Sequence, residues 1–329
     1  MPAHAHPRQH PDVASPTPRP SPARVVVLGG AIAHDEAERL RARLAGHGLA
    51  VESGRLETLD DSRGVVALIA IPACPVDAAT IARLPDLRVV ATPSVGTDHV
   101  DLAAAAAAGV AVASAPGYNA LEVAEYTLTA VLMLLKDLPT GERLVAERRW
   151  DARRASPRAL ADATVGLVGF GTIARHVARL LHTLGVHTLV WNRSDIAGRP
   201  GAELVEAVPD IADLLARSDV VSLHVPLTDQ TRHLVDADFL ARMRPGAGLV
   251  NTGRGGLVEP TAVVRALRDG RLRGVVLDVL DPEPPDWAGD PLLTAPGVLV
   301  TPHQAWLTDG SRHRGFDIAA DHVIRVAGV

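Results

Sequence analysis

A short apolar, β-branched run halted by glycines constrains this chain more than any other stretch: Thr164-Val165-Gly166-Leu167-Val168-Gly169-Phe170-Gly171-Thr172-Ile173-Ala174. The run predicts a strand, the glycines a tight turn, and the spacing of apolar residues from Ile173 to Leu184 a helix. In such a unit Gly169 makes the turn, Gly171 lets backbone approach a pyrophosphate, and small Ala174 lets the helix lie close on its strand. The phosphates would sit on the free N–H groups and positive dipole of the helix's first turn. By itself a glycine trio fits any strand-to-helix turn, so its meaning depends on what surrounds it.

Around it, strands alternate with helices in two rounds. In the first, Val25 to Leu28, Val65 to Ile71, Leu87 to Thr92 and Val110 to Ala113 predict strands, and Asp35 to Ala45, Asp77 to Leu84 and Ala103 to Ala108 predict helices. The second round starts at Thr164 and continues with strands near 187–191, 219–225, 248–252, 274–279 and 298–301. Two rounds predict an α/β protein of two doubly wound parallel-sheet units with helices on both faces. Gly29-Gly30 lacks a third small residue before its helix and reads as a structural turn. Between the rounds, Ala120 to Asp137 is apolar on most faces and is expected to end at Pro139-Thr140-Gly141. Such a helix needs cover on all sides, which predicts a homodimer through residues 120–137.

Composition narrows the function. At 329 residues with 47% hydrophobic and 22% charged side chains, the chain has room for two ordinary domains. A net charge of -5 with no basic block argues against a nucleic-acid partner. Cys74 is the only cysteine, which excludes an internal disulfide and a thiolate-clustered zinc site, and a cytoplasmic location with no metal is expected. The longest apolar run, Leu128 to Leu135, falls short of the roughly 18 residues a membrane span needs. Residues 1–23 alternate Pro, His, Ser and Arg without a signal-peptide core and predict a disordered tail.

Four further stretches follow the glycine loop: Ser222-Leu223-His224-Val225-Pro226-Leu227-Thr228, Asn251-Thr252-Gly253-Arg254-Gly255-Gly256-Leu257-Val258, Leu277-Asp278-Val279-Leu280-Asp281-Pro282-Glu283-Pro284 and Thr301-Pro302-His303-Gln304-Ala305. Together with that loop and Val95-Gly96-Thr97-Asp98, their order and spacing resemble the NAD(P)-dependent D-2-hydroxyacid dehydrogenase family over about residues 24 to 329. The resemblance implies a Rossmann cofactor domain, residues 120–303, inserted into a flavodoxin-like substrate domain, residues 24–119 and 304–329, with the cleft between them.

It also implies a chemistry that these residue types suit. Reducing a small 2-keto acid to a D-2-hydroxy acid needs a fixed cation that binds the carboxylate and polarises the carbonyl, and a planar guanidinium does both. Arg254 is that cation by resemblance. Charge builds on the carbonyl oxygen as hydride arrives, so an acid must deliver a proton there; His303 matches that position. Glu283 beside the imidazole would stabilise its protonated form and fix its orientation. By the same resemblance, Asp278 bonds the nicotinamide carboxamide, and the cofactor also meets Thr172, Ile173, His224, Val225, Pro226, Thr252 and Gly253. The backbone at Val95 and Gly96 should receive the substrate carboxylate, with Ser94 also at the substrate, and Trp306 borders the pocket.

The second strand of the cofactor domain should end on an acid if the ribose diol of NAD is bound. Here it ends on Asn192-Arg193-Ser194, which removes repulsion toward a 2′-phosphate and supplies a cation and a hydroxyl, so NADP(H) is the expected cofactor and NAD(H) the second choice. Asp195 is the nearest acid that could reverse this. Asn192-Arg193-Ser194 and Ser94-Val95-Gly96 look like glyoxylate/hydroxypyruvate reductases, whereas Trp306 after the histidine loop looks like D-lactate dehydrogenases. Ile71 stands where phosphoglycerate dehydrogenases tend to carry a phosphate-binding arginine, and no regulatory domain follows, which disfavours that substrate. The alternative from another class is a dinucleotide-sensing, co-repressor-like interaction protein without turnover.

Overall fold

The computed structural model describes residues 23–55 and 62–328. Apart from Ala23, the expected tail lies outside the described residues. The chain forms two compact units, one running to Ala115 and resuming at Phe316, the other Pro116–Gly315.

The first unit is a five-stranded parallel sheet. Its strands are β1 (Ala23–Leu28), β2 (Leu49–Gly54), β3 (Val65–Ala70), β4 (Val89–Ala91) and β5 (Ala111–Ala113), and its helices include α1 (Gly30–Ala45), α2 (Ala78–Ala82) and α3 (Leu102–Ala107). The order β2-β1-β3-β4-β5 is the flavodoxin-like arrangement. Successive side chains of a strand point to opposite faces, and β1 divides accordingly. Val25 and Val27 join Leu40 and Leu44 in one core, while Val26 and Leu28 join Leu68 and Val90 in the other. All six residues of β3 are buried, as expected of a strand covered on both faces. Asp77 and Asp101 cap α2 and α3 by accepting the N–H groups of Thr80 and Ala104.

Two features of this unit depart from the periodicity. β2 is an edge strand with only Leu49 and Val51 buried, so its apolar signal is too sparse to mark it. α1 starts at Gly30, five residues before Asp35, because Gly29 turns the chain at φ 141°; a Cβ there would meet Ile71 Cδ1 at 2.7 Å.

The second unit carries seven parallel strands: β6 (Thr164–Val168), β7 (His187–Trp191), β8 (Glu206–Ala207), β9 (Val220–Leu223), β10 (Ala247–Asn251), β11 (Leu272–Leu277) and β12 (Val298–Val300). Their order, β12-β11-β10-β9-β6-β7-β8, reverses direction between β9 and β6, the switch point at which doubly wound sheets bind ligands. The helices are α4 (Ala120–Leu135), α5 (Leu138–Ala146), α6 (Thr172–Thr183), α7 (Ile211–Arg217), α8 (Ala237–Arg242), α9 (Pro260–Arg268) and the start of α10 (Asp309–Ala327). The boundary between the units falls within α10, whose Phe316, Ala319 and Val323 belong to the core of the first unit.

α4 differs from its expectation at both face and end. Its buried residues, from Val123 and Ala124 through Thr127 and Val131 to Leu135, form one face, whereas Leu121 is 48% exposed. It stops at Leu135, before the expected Pro139-Thr140-Gly141, and Asp137 turns the chain at φ 51°. Pro139 then lies in the first turn of α5, where the missing N–H costs no hydrogen bond. No helix among the described residues is long and apolar enough to cross a membrane.

Candidate active site

The glycine turn lies where β6 meets α6. Gly169 has φ 102°, and a Cβ there would fall 2.4 Å from the His224 carbonyl oxygen, so only glycine fits. Gly171 differs, since a Cβ on it would meet nothing within 4 Å; the protein leaves open space beside the first turn of α6. No side chain caps that turn at Gly171, so its N–H groups remain available to an anion, and Thr172 and Ile173 begin the helix there. His224 follows β9, its N–H bonded to Val168 O at 2.8 Å and its ring nitrogen 3.0 Å from Ser222 Oγ. Burial pushes the His224 imidazole down to about 4, so the ring is neutral. Val225 reaches the adjoining core and Pro226 O accepts the Thr231 hydroxyl. These features fit a dinucleotide.

Asn192 braces the turn from the end of β7. Its Oδ1 accepts the Phe170 N–H at 3.1 Å and its Nδ2 donates to Ser194 O at 2.8 Å. Ser194 Oγ accepts from Arg199 at 2.7 Å, Arg193 is exposed, and Asp195 is held in a local turn by Ala197 N–H.

Two charged residues come from strand-end loops built alike. After β10, the buried Asn251 folds its side chain over the next turn, donating to Arg254 O at 2.9 Å and accepting the Gly253 N–H at 3.0 Å. Arg254 Nη1 donates to Gly253 O. A Cβ on Gly255 would lie 2.0 Å from Leu280 C, so glycine is required for the Arg254 loop to touch the loop after β11. After β11, the buried Asp278 does the same work with a carboxylate. Its Oδ1 accepts from Thr301 Oγ1 at 2.7 Å and Gln304 N–H at 2.9 Å, and its Oδ2 accepts the Ala305 N–H at 2.8 Å. Both oxygens therefore hold the histidine loop, a use that the resemblance to a carboxamide ligand did not contain.

Within that loop His303 takes φ 51°, its N–H bonded to Asp278 O. Its Nδ1 lies 2.7 Å from Glu283 Oε2, and Glu283 Oε1 accepts the Leu280 N–H at 3.0 Å. Burial raises the Glu283 carboxyl, but the hydrogen bond and charge of His303, the Leu280 N–H and the charge of Arg254 outweigh it and leave Glu283 below the usual carboxylate range. An ionised carboxylate therefore faces the ring, and within coulombic reach of the guanidinium.

Trp306 tilts against Tyr118, ring centres 6.3 Å apart at 53°. Burial pushes the Tyr118 phenol up to about 12, so it stays protonated. The Trp306 loop is tied to the first turn of α10, where Thr308 Oγ1 accepts the Ser311 N–H and Ser311 Oγ accepts the Thr308 N–H. Ser94, Val95 and Gly96 belong to the other unit, in a loop after β4. There Ser94 Oγ donates to Gly96 O at 2.8 Å and Val95 is 49% exposed.

Sequence reasoning missed Tyr118 and two hydroxyls of α4. Tyr126 OH lies 2.6 Å from Thr301 Oγ1, and Thr127 Oγ1 lies 3.0 Å from Thr252 Oγ1. The available signal was a pair of consecutive polar residues on a helix otherwise apolar along its buried side.

Residues 128–305 match the family described as D-isomer specific 2-hydroxyacid dehydrogenase, NAD binding domain. The chain is 40% identical over 276 residues to (S)-sulfolactate dehydrogenase of Chromohalobacter salexigens, covering 84% of this chain and 89% of that protein. It is 34% identical over 282 residues to glyoxylate reductase of Thermofilum pendens, covering 83% and 81%. It spans only 56% of the D-3-phosphoglycerate dehydrogenase of Methanocaldococcus jannaschii, at 30% identity. Among solved structures, D-lactate dehydrogenase from Aquifex aeolicus complexed with NAD and lactic acid superposes with a TM-score of 0.77 at 25% identity, covering 92% of this chain and 95% of that one.

Proposed function

Because this chain belongs to the D-isomer specific 2-hydroxyacid dehydrogenase family and takes a nicotinamide dinucleotide, we propose that it reduces a small 2-keto acid to the D-2-hydroxy acid with Arg254, Glu283 and His303 as its catalytic residues. The observation that carries this is the 2.7 Å contact between His303 Nδ1 and an ionised Glu283. A carboxylate only accepts, so Nδ1 carries the donated hydrogen and Nε2 is the nitrogen that delivers a proton to substrate. Arg254 binds the substrate carboxylate and draws charge toward the C2 carbonyl oxygen. A reduced nicotinamide dinucleotide bound at the Gly169 turn would supply the hydride. As charge grows on the carbonyl oxygen, His303 protonates it, and Glu283 keeps the ring oriented and offsets its charge. The backbone at Val95 and Gly96 keeps the carboxylate-binding role that its resemblance implies, with Ser94 beside it at the substrate. Pro116–Gly315 is then the dinucleotide domain and the other unit the substrate domain.

The cofactor reading is NADP(H). Asn192 is spent on Phe170 and Ser194, Asp195 on its own turn, and Arg193, Ser194 and Arg199 gather a positive, hydroxyl-bearing surface beside them. The nearest acid, Asp195, has its Oδ1 engaged by the Ala197 N–H, which supports acceptance of a 2′-phosphate beside Arg193 and Arg199. Trp306 and Tyr118 favour a short substrate. A C3 sulfonate belongs in that set on stereochemical grounds. A sulfur-bearing carbon outranks the carboxyl in the naming rules, so an (S)-sulfolactate has the same spatial arrangement as a D-lactate.

The deciding experiment is a substrate panel of glyoxylate, hydroxypyruvate, pyruvate, sulfopyruvate and phenylpyruvate, run with NADPH and with NADH. Dinucleotide binding without oxidation across the panel would instead favour a sensor. A cytoplasmic dimer completes the reading, supported by the single cysteine and by exposed Leu121, Leu138 and Val145 on or beside α4 and α5.

A further inference from the structure

Tyr126 and Thr127 are neighbours on α4, and each touches the loop that carries a different charged residue. Thr127 is fully buried and its Oγ1 donates to Val123 O at 2.7 Å, so its contact with Thr252 has Thr252 as donor. Thr301 Oγ1 gives its hydrogen to the Asp278 carboxylate, so its contact with Tyr126 has the phenol as donor. Thr252 stands two residues before Arg254, and Thr301 two residues before His303.

Successive residues of an α-helix are about 100° apart around its axis, which lets adjacent side chains serve two strand-end loops at once. The phenol, hydroxyl and carboxylate form a directed chain ending on the group that also holds the Gln304 and Ala305 N–H groups. Each link polarises the next. We propose that Tyr126 and Thr127 are positioning residues that set the separation and aim of the His303 imidazole and the Arg254 guanidinium. The proposal rests on the roles assigned above to those two groups. α4 acts as a ruler: a shift at either hydroxyl passes through two residues of backbone to the reacting geometry. Misplacement of about 1 Å at a reacting group costs on the order of 100-fold in rate.

The test compares Tyr126→Phe, Thr127→Val and Thr127→Ser with the parent, using the best 2-keto acid of the panel and a nicotinamide dinucleotide deuterated at the transferred hydrogen. Rates are expressed per dinucleotide-binding site counted by fluorescence titration. Tyr126→Phe is expected to lower kcat about tenfold with the keto-acid KM within twofold, and to raise the deuterium isotope effect as the chemical step slows. Thr127→Val is expected to raise the keto-acid KM, because it loosens the Arg254 loop, and Thr127→Ser to recover most of that loss by restoring the hydroxyl. A merely structural role would lower melting temperature and site count while leaving kcat per site, KM and isotope effect unchanged; that result overturns the proposal. His303→Ala in the same assay separates the two levels. Retained turnover there overturns the catalytic roles and this inference together, whereas lost turnover with unaltered kinetics in the α4 variants overturns this inference alone.

Discussion

Glu283 divides its carboxylate between two partners, Oε1 accepting the Leu280 N–H at 3.0 Å and Oε2 facing His303 Nδ1 at 2.7 Å. The first contact anchors the carboxylate to the loop after β11, and the second turns the imidazole with Nδ1 inward. The ring is thereby oriented by a loop that Gly255 brings against the Arg254 turn.

Removing the ring removes the proposed proton donor. His303→Ala should lower kcat by about 100-fold or more, the usual worth of positioned general acid catalysis, while NADPH affinity measured by fluorescence titration stays within twofold. Unchanged turnover would contradict the role given to His303.

The state of Glu283 gives the pH behaviour a sign. Its folded value is depressed, so the stabilisation it contributes is present above the ordinary carboxylate value of 4.5 and is lost as pH falls through the lower folded value. The Glu283 carboxylate is therefore ionised across neutral pH. Glu283→Gln removes the charge that favours the protonated ring, so the alkaline fall of kcat/KM for keto-acid reduction should move to lower pH. A profile that stays in place would show that the carboxylate only shapes the loop.

Two glycines separate folding from ligand approach. Gly255→Ala places a methyl 2.0 Å from Leu280 C and should cost about 1–3 kcal/mol or more, read as a fall in urea midpoint. Gly171→Ala meets nothing within 4 Å and should leave that midpoint nearly unchanged, yet weaken dinucleotide binding in a titration. Equal loss of stability in both would refute the assignment of Gly171 to the pyrophosphate.

Cofactor choice is expected to turn on one side chain. Asn192→Asp adds a carboxylate beside Ser194 and Phe170, which would repel a 2′-phosphate and accept a ribose hydroxyl. The ratio of kcat/KM for NADPH to that for NADH should fall at least tenfold, about 1.4 kcal/mol. A ratio that does not move places cofactor discrimination elsewhere.

The apolar surface of α4 and α5 predicts self-association. Sedimentation at micromolar concentration should show a dimer, and replacing Leu138, 55% exposed, by Asp should give monomers. A parent chain that sediments as a monomer would remove the homodimer from the reading.

Local chemistry made much of this protein legible in one dimension. The alternation of β-branched runs with amphipathic helices specified two parallel sheets, because side-chain period follows backbone geometry. The turn at Gly169 and Gly171 could be read for the same reason, while Arg254, Glu283 and His303 were candidates by resemblance, and the fold brings Glu283 to His303 and within coulombic reach of Arg254. What only the tertiary structure decided lies in contacts between distant segments. The Tyr126 hydroxyl meets Thr301 across 175 residues, and Asp278 spends both carboxylate oxygens on a loop more than twenty residues away. β2 and α5 were hidden for a related reason: an edge strand that buries two side chains and a short helix opened by proline carry little periodic signal. Periodicity records which face a residue turns to water, whereas a hydrogen bond depends on where the folded backbone brings its partner.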